Sequence, residues 1–153
     1  MTTLIAFDPG VHHVGWAVFN NLYLVQCGLL RERSSVGVIP ALDEFYCPRG
    51  ATVIIECPQV YQQASWKGDP ADLIAVATVV GALAFVCRIG LVKLVSPHDW
   101  KGNAPKTATK GWLDRRLNPD EARVLNAAKC PASLRHNIID AVALGLFGTG
   151  RLR

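Results

Sequence analysis

The run Thr52-Val53-Ile54-Ile55, closed by Glu56, constrains the fold more than any other stretch of this chain. Four consecutive β-branched residues give a strand no polar face to turn toward water, so it must be covered on both sides. A sheet built around it therefore needs a layer packed on each face. The flanking sequence supplies both the sheet and the layers. Leu4-Ile5-Ala6-Phe7 is a second short apolar strand; it ends at Asp8, where Pro9-Gly10 enforces a turn. Residues 14–20 alternate as a third strand, Asn21 supports a turn, and residues 22–30 make a fourth. Such short connections predict an antiparallel three-stranded unit. Within residues 31–50, the stretch 41–46 reads as helical.

Pro58 stops the central strand. Asp69-Pro70 marks a helix start. The helix expected over 71–88 is apolar nearly all round, and Ala77, Gly81 and Ala84 form a small-residue stripe at helical spacing that another helix could approach closely. Gly90 ends it, and residues 91–95 form the fifth strand. Beyond a loop over 96–105, helices are expected at 107–117, 119–128 and 134–147. This order predicts an α/β chain, a mixed five-stranded sheet flanked by helices, with residues 1–153 forming one domain of ordinary size.

Composition narrows the class. Half of the residues are hydrophobic and 18% are charged, the balance of a globular protein. Five cysteines, none spaced as C-x-x-C, indicate neither a zinc site nor a disulfide framework. They read as small buried hydrophobes in a reducing compartment. The opening residues do not resemble a secretory leader, and the apolar run over 73–87 is too short to cross a bilayer. A cytoplasmic protein without a membrane partner is expected. The net charge of +4 is lopsided: residues 1–92 hold five basic and seven acidic side chains, whereas residues 93–153 hold eleven and five. Such asymmetry suits a polyanion meeting the C-terminal third, although a solvated basic surface would look the same.

Three acidic residues stand out by context. Asp8 and Glu56 each close an apolar strand, and Asp140 interrupts the apolar stretch Ile138-Ile139-x-Ala141-Val142-Ala143-Leu144. A carboxylate at the edge of a core is costly unless paired or bound to a cation, and strand ends are where α/β sheets hold their ligands. Taken singly, Asp8 could be a turn former, Glu56 a strand-end charge and Asp140 a partner for Arg135. Taken together they suit Mg²⁺, a hard cation that seeks oxygen, and two such ions can drive an in-line phosphodiester displacement.

The segment Ile5-Ala6-Phe7-Asp8-Pro9-Gly10, followed by Gly15-Trp16-Ala17-Val18, resembles the opening of the RuvC family of Holliday-junction resolvases, whose fold is ribonuclease H-like. Ile54-Ile55-Glu56 is similar to the family's second acidic motif, and Asp140-Ala141-x-Ala143-Leu144 to its closing helix. The order of these motifs, rather than any one of them, carries the resemblance, which spans essentially the whole chain. It implies a homodimer, paired through the helix containing Gly81, that cuts branched DNA at four-way junctions and leaves 5′-phosphate and 3′-hydroxyl ends. It also implies a site of two Mg²⁺ ions, or Mn²⁺ in their place, held by Asp8, Glu56 and Asp140.

The family's fourth ligand, Asp or His, stands three residues before the closing Asp. That position is Asn137 here, and His136 is one residue earlier. Imidazole can ligate a metal or shuttle a proton, whereas an amide ligates weakly and has no basicity, which favours His136. The resemblance further points Lys101, Lys106, Lys110, Arg115 and Arg116 toward phosphates, and Tyr61 toward stacking on a base. Trp100 and Lys101 could instead anchor their loop, and Tyr61 could simply face solvent. Two other readings stay open: a ribonuclease H-like nuclease acting on RNA or RNA–DNA hybrid, and a catalytically weak junction-binding protein.

Overall fold

The computed structural model describes residues 2–32, 37–59, 69–105 and 107–152. Three antiparallel strands open the chain: β1 (Thr3–Pro9), β2 (His13–Asn20) and β3 (Tyr23–Arg31). The β2–β3 connection is Asn21-Leu22, with φ of 47° and 76°. Positive φ at both residues is what a two-residue hairpin needs to match the strand twist. The β-branched run forms β4 (Thr52–Glu56), which pairs parallel to β1, and β5 (Leu91–Val95) pairs parallel to β4. The sheet order is β3-β2-β1-β4-β5.

Side-chain alternation splits the core between the two faces of this sheet. On one face Leu4, Ala6, Ala17, Phe19 and Ile54 pack against α5 (Arg135–Gly148), which buries Ile138, Ala141, Val142 and Leu144. On the other, Ile5, Phe7, Val14, Val53 and Ile55 meet Val79, Val80 and Leu83 of α1 (Pro70–Val86), together with Val38 and Leu42. Truncating the fully buried Phe7 to Ala would cost about 4 kcal/mol, from lost transfer energy plus the cavity.

Two local expectations are corrected. The helical stretch over 41–46 is instead a 3₁₀ segment, Ile39–Glu44, with Pro40 in its first turn. The expected loop over 96–105 contains a short helix, α2 (Pro97–Lys101). Ser96 caps it: its hydroxyl accepts the Asp99 amide while the Asp99 carboxylate accepts the Ser96 amide. The remaining helices are α3 (Ala108–Arg116) and α4 (Pro119–Ala127). Asn118 and Glu121 form a second capping box at the start of α4.

Helix α1 was expected to be too apolar to face water, yet Ile74 and Phe85 are 68% and 66% exposed. Ala77 and Gly81 lie on the same open side, whereas Ala84 is half-buried. Edge strand β5 exposes Leu91 and Leu94, which by strand alternation face opposite sides of the sheet, Leu94 on the α1 side. All five cysteines are free; Cys27, Cys47 and Cys87 are buried and Cys57 and Cys130 half-buried. No helix among the described residues is long and apolar enough to cross a membrane.

Candidate active site

The site is built at the C-terminal ends of the two parallel strands β1 and β4. On each strand the acidic residue follows the face that packs on α5: Asp8 lies two positions past Ala6, and Glu56 two past Ile54. Helix α5 supplies Asp140 to the same face. The close approach of this helix is made possible by Gly15, which pairs directly opposite Asp8. A Cβ added at Gly15 would stand 2.1 Å from the backbone oxygen of Asn137. Glycine is therefore required on β2 for the first turn of α5 to rest on the sheet beside Asp8.

Two of the carboxylates meet at a cation from the chain itself, and Asp8 adds to the field around it. Lys101 Nζ lies 3.2 Å from Asp140 Oδ2 and 3.6 Å from Glu56 Oε2. Burial works against the charge on Lys101, but Glu56, Asp140 and Asp8 outweigh it and hold the ammonium above its ordinary pKa. Burial is likewise the largest influence on Glu56 and pushes its carboxyl upward. Lys101 and the Trp100 indole oppose that rise, and Asp140 adds to it. Trp100 Nε1 donates to Glu56 Oε2 at 2.6 Å, and its ring is 5% exposed. The α2 cap thus fixes two neighbours at once: Trp100 as a buried anchor of Glu56, and Lys101 among the acids.

The resemblance points Lys101 toward phosphates, whereas the structure pairs it with Glu56 and Asp140. The fold brings Lys101 to them across 45 residues of chain from Glu56 and 39 from Asp140. The bland partner for Asp140, Arg135, does not engage it; the Arg135 guanidinium donates to the carbonyls of Leu125 and Ala128.

His136 and Asn137 have distinct surroundings. The Asn137 amide donates back to Leu134 O at 3.3 Å, within the turn that starts α5. His136 is exposed and, with Lys110, Ile139 and Asp140, lines a cavity of about 380 Å³. Arg115 and Arg116 are exposed at the end of α3. Tyr61 and Lys106 lie outside the described residues.

Among the described residues, no three His, Cys, Asp or Glu side chains stand close enough to share one metal ion. The donor chemistry nevertheless fits a hard divalent cation: Glu56 and Asp140, from separate elements, pair with a single positive charge that Asp8 also stabilises. The spacing is that of an ion-paired lysine.

No family model matches the sequence, and no curated protein matches it by sequence. Solved structures do. RuvC of T. thermophilus in complex with a Holliday junction substrate is similar at a TM-score of 0.52 and 19% identity, over 95% of this chain and 91% of that one. The fowlpox virus Holliday junction resolvase reaches a TM-score of 0.62 at 16% identity, over 99% of this chain and 100% of the other. The chain has the RuvC fold. Its mixed sheet, order β3-β2-β1-β4-β5 flanked by α1 and α5, is the ribonuclease H-like arrangement shared by these resolvases. A second T. thermophilus RuvC structure agrees at a TM-score of 0.53, 17% identity and 98% coverage of both chains.

Proposed function

We propose that this chain is a Mg²⁺-dependent endonuclease that cuts branched DNA, four-way junctions above all, leaving 5′-phosphate and 3′-hydroxyl ends. The observation that carries the reading is that Glu56 and Asp140 share the ammonium of Lys101, which Asp8 also stabilises, at the strand ends of a fold shared with junction resolvases. Asp8, Glu56 and Asp140 would hold the metal, with His136 as the further ligand or proton acceptor. When bound, magnesium supplies the Lewis acidity that activates water and stabilises the leaving oxygen.

The chain's own groups do the rest. Trp100 holds Glu56 in orientation through its indole N–H. Lys101, which pairs with Glu56 and Asp140, would turn to the negative phosphodiester if a metal took its place between them. Lys110, Arg115 and Arg116 extend the positive surface along α3, where backbone contacts would set affinity rather than sequence choice. The exposed apolar side of α1 suits a second copy. A two-fold dimer would present two identical sites to a two-fold junction. Such a protein would work in the cytoplasm, where its DNA is.

A second reading, junction binding without cutting, draws on the ion pairing of Lys101 with Glu56 and Asp140. Nicking of a synthetic four-way junction, with Mg²⁺ and with chelator, separates the two. Asp8→Asn should lower the Mg²⁺-dependent rate by at least a hundredfold while leaving folding and junction binding in place. Wild-type nicking that is absent in Mg²⁺ would establish the binding role. Nicking by Asp8→Asn at the wild-type rate would move the site elsewhere. Cleavage of RNA–DNA hybrid in preference to junctions would change the substrate class.

A further inference from the structure

The carboxylates occupy only part of the sheet face on which they stand. Asp8 on β1 is directly opposite Gly15 on β2, and directly opposed residues of an antiparallel pair share a face. His13 lies two positions from Gly15 along β2, so it belongs to that face too. Arg31 on β3 is directly opposite His13 and also shares it. The face that carries Asp8 therefore continues, past Gly15 and the α5 turn resting on it, to His13 and Arg31. Strand and ladder spacings set successive Cα positions of this row about 5–7 Å apart.

His12 stands beside this row, its ring centroid 6.4 Å from that of His13. The turn before it is fixed: the Gly10 amide donates to His13 O at 2.8 Å, and the Glu32 amide donates to His12 O at 3.1 Å. From α5, His136 reaches the same neighbourhood. Burial lowers the pKa of His13, and Arg31, His12 and His136 lower it further. The groups acting on His13 are thus all cationic when protonated. An anion seated between the Arg31 guanidinium and these imidazoles would relieve the repulsion among them.

None of this belongs to the basic segment over 101–116, which approaches the carboxylates from α2 and α3. It is a second positive edge on the β2–β3 side.

We propose that His13 and Arg31, flanked by His12 and His136, bind a backbone phosphate of the strand being cut, adjacent to the one at the carboxylates. The first turn of α5, which covers Gly15, stands between the two positions, so the sugar-phosphate backbone would pass around the start of that helix. Arg31 would supply the charge, and His13 an N–H donor at the floor of the contact. The contact reads no bases; it sets the register of the strand over Asp8. This inference rests on the nuclease reading, and it adds a phosphate-binding edge that the acidic motifs and the lysine segment do not include.

The test is the binding of a fluorescent four-way junction in chelator across a salt series. It compares wild type, Arg31→Gln, Arg31→Lys and His13→Gln, with Arg123→Gln as control. Arg123 is an exposed α4 residue paired with Asp120, away from the row. Loss of one phosphate contact should reduce the slope of log K against log salt by about 0.9 in Arg31→Gln. Affinity at moderate salt should fall several-fold, Arg31→Lys should restore most of it, and Arg123→Gln should match wild type. His13→Gln should weaken binding with a smaller change of slope.

Because Arg31 is exposed at a strand end, its loss leaves the core untouched, and unchanged circular dichroism would verify that. Wild-type slope and affinity in Arg31→Gln would overturn the phosphate edge while leaving the nuclease reading intact. An equal loss in Arg123→Gln would also overturn it, since the effect would then be one of general charge. Wild-type protein that binds no branched DNA would overturn both readings together.

Discussion

At the scale of single residues, the site depends on positions that carry no reactive group. Gly15 lets α5 lie against β2, and its replacement tests how finely that contact sets the carboxylates. In Gly15→Ala the new methyl would meet the Asn137 backbone, which cannot rotate away, so α5 must shift. Overpacking of this kind costs about 1–3 kcal/mol, and a shift near 1 Å at a catalytic group can cost about a hundredfold in rate. Gly15→Ala should therefore remain folded, with a lower midpoint in urea and most nicking lost. Full activity would mean that α5 tolerates displacement.

Trp100 offers a pH signature. Its indole N–H stabilises the ionised form of Glu56, whose carboxyl burial already pushes upward. Trp100→Phe removes that donor, so Glu56 should hold its proton to still higher pH. The acid limb of the pH–rate profile should move upward, with KM for the junction little changed. An unmoved limb would remove Glu56 ionisation from the rate. His136 and Asn137 were separable in sequence only by chemistry; packing separates them further, because the Asn137 amide is turned back onto its own helix start.

At the scale of elements, strands were the most legible. Residues 91–95 and 52–56 match β5 and β4, because short β-branched or apolar runs between turn residues have few alternatives. Helix α1 was legible in position but not in its surroundings. A sequence that is apolar on every side predicts complete burial, while a single copy of the chain has only one sheet face to cover it. The exposed row Ile74, Ala77, Gly81 and Phe85 is the remainder.

A Cβ at Gly81 would meet nothing within 4 Å in one chain, so Gly81→Leu should leave the monomer's stability nearly unchanged. If this face pairs with a second copy, the same change should weaken the dimer by excluding the partner helix. Sedimentation velocity at micromolar concentration measures both. A monomeric wild type would reject the pairing. Helix α2 was missed although its signal was present: Ser96-Pro97-His98-Asp99 holds a cap, a proline at the first position and an acid at the third. Reading that signal would have put Trp100 and Lys101 on a helix directly after β5, beside the end of β4.

At the scale of the whole molecule, one buried carboxylate ties distant parts of the chain together. Glu121 is 1% exposed and accepts hydrogen bonds from the Leu24 amide, the Asn118 amide and Arg151. Arg151 also donates to Leu22 O and Arg116 O, so the C-terminal tail, the β2–β3 turn and the α3–α4 junction share one ion pair. Burial alone would raise the Glu121 pKa, but Arg151 and the two amides prevail and lower it. A carboxylate with a lowered folded-state pKa stabilises at neutral pH, and that contribution disappears as acid protonates it below the ordinary glutamate range. Glu121→Gln leaves Arg151 with an uncompensated charge and should cost about 3 kcal/mol at pH 7. The deficit should shrink as the pH falls toward 3, as urea unfolding across pH would measure. A deficit independent of pH would assign the loss to packing instead.

The sequence by itself determined which residues form the sheet, since β-branched runs and turn residues act locally, and it marked Asp8, Glu56 and Asp140 by the cost of placing charge beside apolar neighbours. Only the tertiary structure decided what those charges face. Lys101, the Gly15–α5 contact and the row from Asp8 to Arg31 depend on pairing between residues far apart in the chain. Local propensity carries no record of such pairing; sheet register and helix packing bring it about.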